Sequence, residues 1–264
     1  MRNSIIIWPL ILLPIGLQSQ QREESAGEAT KLWEQMIEAK GGRSALSQIE
    51  TMVIEAHEYL KFHNPKFKYG EEHSVAAFAF PDRMWSWSKA PVFEGGVQTA
   101  DLRAGTGYIA YPSGNILKTS DLRGGERSLR DTQLIYFCET QWIKPKPVRV
   151  FRDRNIPRNV EAVETDLNGE RIEFWIDRED HLPVKIISYR DFNHGKGLEP
   201  NYTYILSDYQ RMNGIQIPRE ISASMLSNPP STSRDMTILN PKLREDLFTS
   251  PPRFEDGPDA WKSK

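Results

Sequence analysis

Cysteine is nearly absent from this chain of 264 residues, and the single Cys138 excludes an intramolecular disulfide. Cys138 closes the largely apolar segment 133–138, and no histidine lies close to it in sequence. A nucleophilic thiol needs a nearby base and electropositive surroundings. We therefore interpret Cys138 as a buried structural thiol.

A surplus of either charge is also absent. The formal net charge is −2, and the sequence contains no block of like charges. Domains that bind nucleic acid present a clustered basic patch, and strong attraction to anionic membranes needs the same clustering. The composition therefore predicts no nucleic-acid partner.

Recognisable catalytic motifs are missing. No G-x-S-x-G is present, and Gly105-Thr106-Gly107 lacks the third glycine and the lysine of a phosphate loop. The acidic pairs, such as Glu179-Asp180, lie in predicted turns or beside basic residues. A glycosidase needs two carboxylates that face one sugar, and the sequence does not place such a pair. We predict that the protein is not an enzyme and keep a hydrolase only as an alternative.

Histidine is scarce, with five residues in the chain. His57 and His63 share a predicted strand face but would lie about 20 Å apart on a regular strand, whereas zinc ligands lie about 2 Å from the ion. His73 could approach either one across a hairpin. Because Glu55 and Lys61 share that face, we interpret it as solvated and predict no metal and no cofactor.

Only one long apolar run is present, over residues 5–17, and it follows the basic residue Arg2. This order is typical of a secretory signal. A membrane span needs about 20 apolar residues, and Pro9 and Pro14 would disturb a helix. We predict a signal peptide over residues 1–20 and a periplasmic or otherwise extracytoplasmic location, with an uncleaved anchor as the alternative.

Beyond the signal, the sequence predicts one domain over residues 21–252 and a polar, frayed C-terminal tail over 253–264. Ser25-Ala26-Gly27-Glu28 is typical of a capping box that begins a helix. An apolar stripe follows at helical spacing, and Gly41-Gly42 is typical of a helix end. A short second helix is predicted over 44–49.

From Thr51 onward the apolar period changes to two, as in half-buried strands. Asn168-Gly169 and Asn213-Gly214 predict two-residue hairpin turns. Because no regular helices separate the strands, a parallel sheet is not expected. We predict about nine to eleven strands from this alternation, with a helix over 129–142 and only two short strands, 97–103 and 108–111, in the glycine-rich segment 91–130.

Several short segments, in their order along the chain, resemble the outer-membrane lipoprotein-sorting and carrier proteins of the LolA/LolB type. The resemblance covers residues 29–90 and 159–252. It is carried by Glu38-Ala39-Lys40-Gly41-Gly42 followed by Ala45-Leu46-Ser47-Gln48-Ile49, by Asp177 through Leu182-Pro183-Val184-Lys185, by Tyr209 through Asn213-Gly214-Ile215-Gln216-Ile217-Pro218, and by Asn240 through Phe248 to Pro251.

The resemblance implies a mainly β fold with α-helices: a curved antiparallel sheet that forms an incomplete β-barrel, covered by N-terminal and central helices. It also implies an apolar cavity for acyl chains and no covalent chemistry. Exposing an acyl chain to water costs about 0.8 kcal/mol per CH2, so a carrier must shield it. We expect a monomer whose partner is a lipid or an acylated protein, with an envelope protein as a second partner class.

On this interpretation the ligand-binding cavity lies beneath the first helix and is open. A closed core built from the same residues is the alternative, in a non-catalytic envelope interaction module. A solid interior there would remove the carrier hypothesis and leave only the fold. The predicted cavity residues are Trp33, Met36, Ile37, Ile54, Leu60, Phe78, Phe80, Trp85, Trp87, Ile172, Phe174, Ile176, Tyr204 and Leu206.

Overall fold

The computed structural model describes residues 15–60, 70–90, 95–151, 155–190, 199–225 and 231–263, with side chains from residue 25 onward except 59, 60 and 225. The helices are α1 (Ile15–Lys40), α2 (Gly42–Leu46), α3 (Arg123–Phe137) and a 3-10 turn at Phe254–Asp256. The strands are β1 (Thr51–Leu60), β2 (Gly70–Ala79), β3 (Arg83–Lys89), β4 (Gly96–Asp101), β5 (Thr106–Ala110), β6 (Ile116–Thr119), β7 (Lys146–Phe151), β8 (Val160–Leu167), β9 (Glu170–Asp177), β10 (Pro183–Arg190), β11 (Glu199–Met212), β12 (Ile215–Met225) and β13 (Ser231–Leu239).

All the described strands belong to one curved antiparallel sheet. Its order is β6-β5-β4-β3-β2-β1-β13-β12-β11-β10-β9-β8-β7, so each strand pairs with the next one in the chain except β6, which lies at the opposite edge from β7. The chain starts in the middle with β1, runs to one edge, crosses through α3 to the other edge and returns to pair β13 with β1. The sheet therefore forms an incomplete barrel, as predicted.

The two predicted Asn-Gly hairpins are confirmed. Asn168 and Gly169 have φ of 56° and 87°, and Asn213 and Gly214 have φ of 49° and 85°. Two consecutive residues with positive φ match the right-handed twist of the flanking strands. These turns fix the registers of β8 with β9 and of β11 with β12.

The sheet has thirteen described strands rather than the expected nine to eleven, because β6 and β7 were not predicted. A register shift at Pro147 interrupts the alternation of β7. The central helix also begins earlier than the predicted 129, at Arg123, and ends at Phe137 instead of 142. Gly124 and Gly125 made its first turn unrecognisable, because glycine disfavours helices.

The predicted helix start at Ser25 is wrong. Residues 15–40 form one helix, so Ser25 lies inside it and not at its cap. The second helix is also shifted, to Gly42–Leu46. The predicted signal peptide falls partly on residues 1–14, which lie outside the described residues. Among the described residues, no helix is both long and apolar enough to cross a membrane.

Two apolar clusters lie on opposite faces of the sheet. The inner cluster fills the concave face beneath α1 and α3. The outer cluster joins β1–β5 to residues 243–261, where Trp87 Nε1 donates to the Phe254 carbonyl at 3.3 Å. The C-terminal tail predicted to be frayed is therefore packed: Trp87 and Phe254 also stack at 5.7 Å.

Candidate binding site

The interior beneath α1 is filled. Trp33 packs edge-on against Phe174 with ring centroids 4.9 Å apart, and Trp33, Met36 and Ile37 are at most 2% exposed. Side chains that line an open hollow would be accessible to water inside it. The predicted open hollow beneath the first helix is therefore wrong for these residues.

Polar contacts also hold α1 in place. The buried carboxylate of Glu139 accepts from Trp33 Nε1 at 2.9 Å and from Arg43 Nε at 2.7 Å. The Lys40 ammonium is fully buried, donates to the Gln216 carbonyl and lies 4.9 Å from the ring centre of Tyr209. Burial lowers the pKa of Lys40 to about 8. Because each of these polar groups has a partner, this half of the molecule is closed by hydrogen bonds as well as by apolar packing.

The structure brings most of the predicted cavity residues together, as members of the inner core. Nine are buried there: Trp33, Met36, Ile37, Phe78, Phe80, Ile172, Phe174, Ile176 and Leu206. Ile54 and Tyr204 are partly buried at its border. The side chain of Leu60 lies outside those described.

Trp85 and Trp87 lie on the other face of the sheet, in the outer cluster. Phe78 pairs with Met84, and Ala77 pairs with Trp85. Paired residues share a face and neighbours alternate, so Trp85 and Phe78 point to opposite sides. The sequence interpretation combined two faces because it had no register.

An open cleft of about 530 Å³ lies beside α3, at the end of the sheet where β8 and β10 finish. Its size is within the range of small-molecule sites. The lining consists of one helix face, the β8–β9 turn, the end of β10 and nearby loops: Arg123, Glu126, Arg127, Arg130, Trp142, Ile143, Leu167, Asn168, Glu170, Ser188, Tyr189, Arg190 and Asn201. None of the fourteen predicted residues is among them.

Arginines dominate the charge of the cleft, with four of them against two glutamates. Arg123, Arg127 and Arg130 follow at helical spacing and so share one face of α3. Arg127 donates to the Tyr202 hydroxyl at 2.9 Å, and Arg130 is held by Asp131 and Glu170. Burial alone would lower the pKa of Arg130, but these two carboxylates raise it. Arg130 therefore stays protonated, as does Arg123, whose Nε donates to Asp121 at 2.8 Å.

The cleft also contains an unpaired polar atom. Ser188 is 9% exposed, lines the cleft, and its hydroxyl has no hydrogen-bond partner among the described residues. A buried hydroxyl without a partner is unfavourable, so a ligand atom that bonded it would gain stability. Burial raises the pKa of the Tyr189 phenol, and so does its hydrogen bond with Glu173. Tyr189, the residue after Ser188, is therefore neutral.

One wall of the cleft is apolar and leads inward. Trp142 and Ile143 pack against the inner core, and Leu167 is a buried member of it. Trp142 lies 6.1 Å from the Phe80 ring. The cleft thus joins a cationic rim to the border of the apolar core.

No family model matches the chain, and no curated protein matches it. Solved structures do resemble it. A LolA superfamily protein from Nitrosomonas europaea has a TM-score of 0.51 at 11% identity, over 84% of this chain and 97% of its own. A DUF1329 family protein from Desulfovibrio piger has a TM-score of 0.52 at 8% identity, over 83% and 96%.

The chain has a LolA-type fold. The resemblance drawn from the sequence is therefore confirmed for the architecture, and at this identity it extends no further.

Sequence reasoning missed the residues that shape the cleft within this LolA-type fold. The signal was present in the helical spacing of Arg123, Arg127 and Arg130, but the helix was predicted to start after two of them. Gly125 explains how α3 comes so close to the sheet, because a Cβ there would lie 2.5 Å from the Ala100 Cβ. The unpaired Ser188 hydroxyl leaves no trace in sequence.

Proposed function

We propose that this protein is an extracytoplasmic, non-catalytic binding protein for an acidic amphiphile, a molecule with an acyl chain and an anionic head group. The observation that carries the proposal is the cleft beside α3, where arginines and an apolar wall adjoin. The LolA-type fold is compatible with such a role, and the apolar run over residues 5–17 supports export.

The charges of the cleft support binding of an anionic head group. Arg123 and Arg127 lie in the first turns of α3, where the helix dipole adds positive potential. Guanidinium groups form paired hydrogen bonds with carboxylates and phosphates. The Ser188 hydroxyl would donate to the same head group.

The apolar wall of the cleft supports binding of an acyl chain. Trp142, Ile143 and Leu167 would cover its first carbons, and each CH2 removed from water contributes about 0.8 kcal/mol. Deeper entry requires the side chains beneath α1 to separate. The sequence predicted a carrier with a preformed hollow, and the filled interior argues against it. Unless a helix moves, only the cleft would shield the acyl chain from water.

The test is native mass spectrometry of the delipidated protein titrated with laurate and, separately, with dodecanol, which has the same chain and no charge. We expect a 1:1 laurate complex and weaker dodecanol binding. The double variant Arg123→Gln/Arg127→Gln should bind laurate at least about 10-fold more weakly, since charged hydrogen bonds contribute about 1.5–3 kcal/mol.

Arg149→Gln is the matched control, because Arg149 lies on the edge strand β7 and pairs with Glu164 at 2.9 Å, outside the cleft. It should bind laurate as the unmodified protein does. Equal binding by the double variant, or no laurate complex at all, would refute the proposal.

A second function is favoured by one specific observation, the filled interior. A closed core of this kind is what a non-catalytic envelope interaction module needs, with a protein as its partner. This alternative predicts that neither laurate nor dodecanol binds in the titration. A laurate complex that depends on the α3 arginines would argue against it.

A further inference from the structure

On the convex face of the sheet, away from the cleft, we propose a binding site for a divalent transition-metal ion of the Zn²⁺ class, formed by Glu55, His57 and His73. One ligand atom from each of these residues lies within 4.8 Å of the other two. This proposal is independent of the proposed function and replaces the solvated-face interpretation made from the sequence.

The pairing of β1 with β2 brings the residues together. His57 and His73 are directly opposite each other in the register, so their side chains share one face. Glu55 lies two residues before His57 on β1 and therefore points to the same side. The spacing of sixteen residues between the histidines carries no metal motif, and only the hairpin register makes them neighbours.

The side chains of the cluster are already in close contact. His73 Nε2 lies 2.8 Å from Glu55 Oε1, and His57 Nδ1 lies 3.2 Å from Glu71 Oε1. The two imidazole rings stack with centroids 4.6 Å apart and planes 4° from parallel. Neutral imidazole is the form that binds metal.

The movement needed is small. Ligands at about 2.0–2.1 Å around a tetrahedral Zn²⁺ lie about 3.3 Å from one another. Because the ligand atoms already lie within 4.8 Å of one another, no pair has to close by more than about 1.5 Å. The side chain of His57 is 49% exposed, which leaves room for a change of rotamer. Glu71 is in reach to supply a fourth ligand.

His73 is held from behind by the outer cluster. Its ring lies edge-on to Trp87 at 5.4 Å, and Trp87 is in turn packed on Phe254. Fixed ligands bind metal more tightly than mobile ones because less conformational freedom is lost. Arg234 on β13 is paired with His57 on β1 in the sheet register. Its guanidinium lies 3.0 Å from the Asp208 carboxylate, so its charge is partly neutralised.

The test uses full-length protein without a polyhistidine tag, stripped of metal by a chelator and titrated with ZnCl2 in competition with a chromophoric chelator at pH about 7.5, above the ordinary histidine pKa. We expect one saturable site. His57→Gln and His73→Gln should each weaken binding by about 100-fold, as loss of a ligand costs at least as much as loss of its supporting groups.

His181→Gln is the matched control, because His181 lies in the turn before β10 and outside the cluster. It should bind Zn²⁺ normally. Imidazole 15N chemical shifts provide a second readout: Zn²⁺ should shift His57 and His73 and leave His181 unchanged. The proposal would be overturned by the absence of saturable binding, or by binding that survives both single variants. Far-UV circular dichroism of each variant distinguishes loss of Zn²⁺ binding from loss of folding.

Discussion

The half of the molecule beneath α1 and the region beside α3 share one sheet but differ in chemistry. Beneath α1 the packing is closed, with Trp33 edge-on to Phe174 and buried polar groups paired. Beside α3 the lining is cationic and open, and the Ser188 hydroxyl has no partner. Well-packed apolar contacts stabilise a fold, whereas unpaired polar groups in a cleft are typical of binding sites.

The comparison extends into the polar groups that α3 buries. Tyr136 donates to the buried carboxylate of Asp235. Burial raises the pKa of Asp235 despite its hydrogen bonds from Tyr136 and Ser233. Burial of a polar group therefore carries a desolvation cost on both sides, at Asp235 and at Lys40. The two regions differ in access: the packing beneath α1 is closed, and the cleft beside α3 is open.

The largest effect is expected from Trp33→Ala, because it removes an aromatic ring from the filled interior. Such changes cost about 3–5 kcal/mol of unfolding free energy. Urea denaturation followed by circular dichroism measures the loss. Trp142→Ala at the cleft border is the control and should cost about 2 kcal/mol or less, since that ring is only partly buried. Equal losses would contradict the comparison.

Glu139→Ala should be next, with a loss of about 3 kcal/mol, because it leaves the buried Trp33 N–H and one face of Arg43 without an acceptor. Arg43 Nη2 also donates to the Glu34 carboxylate at 2.8 Å. The Glu34 side chain, however, is half exposed. Glu34→Ala should therefore change the stability by less than about 1 kcal/mol. The two variants are compared by urea denaturation, and a reversed order would show that the buried carboxylate is not a support of α1.

Lys40 gives a smaller, pH-dependent effect. Its folded-state pKa is about 8, below that of an unfolded lysine at about 10.4, so the unfolded chain binds the proton more tightly. Stability from this residue therefore increases as pH rises, by about 1 kcal/mol between pH about 8 and about 9. Lys40→Met should lack that increase. The difference in unfolding free energy between the two proteins cancels the contribution of groups that titrate in both. If that difference did not change with pH, the burial of Lys40 would be contradicted.

The smallest change in stability is expected at the cleft. Arg123→Gln/Arg127→Gln should alter the unfolding free energy by less than about 0.5 kcal/mol each, as exposed ion pairs contribute little. The same variant is the one expected to lose laurate. A loss of several kcal/mol in thermal or urea unfolding would mean that the arginines stabilise the fold and are not reserved for binding.

Much of the fold could be predicted because local signals decide it. The Asn-Gly turns require positive φ, and the stripe containing Trp33 is buried as helical periodicity indicates. The faces of Trp85 and Trp87 could not be predicted, because a one-residue change in register reverses every side chain of a strand. The packed C-terminal segment was missed because its partners on β3 are distant in sequence.

The cleft was less predictable than the fold, for a physical reason. Its parts come from α3, the β8–β9 turn and the end of β10, and only tertiary packing brings them together. The metal cluster has the same origin, since His57 and His73 meet through strand register alone. Apolar periodicity identifies residues that are buried, and it does not indicate whether they line a hollow or fill it.

Hydrogen–deuterium exchange with and without laurate tests the central claim most directly, because it reads both regions in one experiment. We expect laurate to slow amide exchange at residues 123–130, 167–170 and 188–190, and to leave residues 31–40 of α1 unchanged. Slower exchange at 31–40 with no change beside α3 would place the ligand beneath α1 and contradict the division between a closed half and a binding cleft.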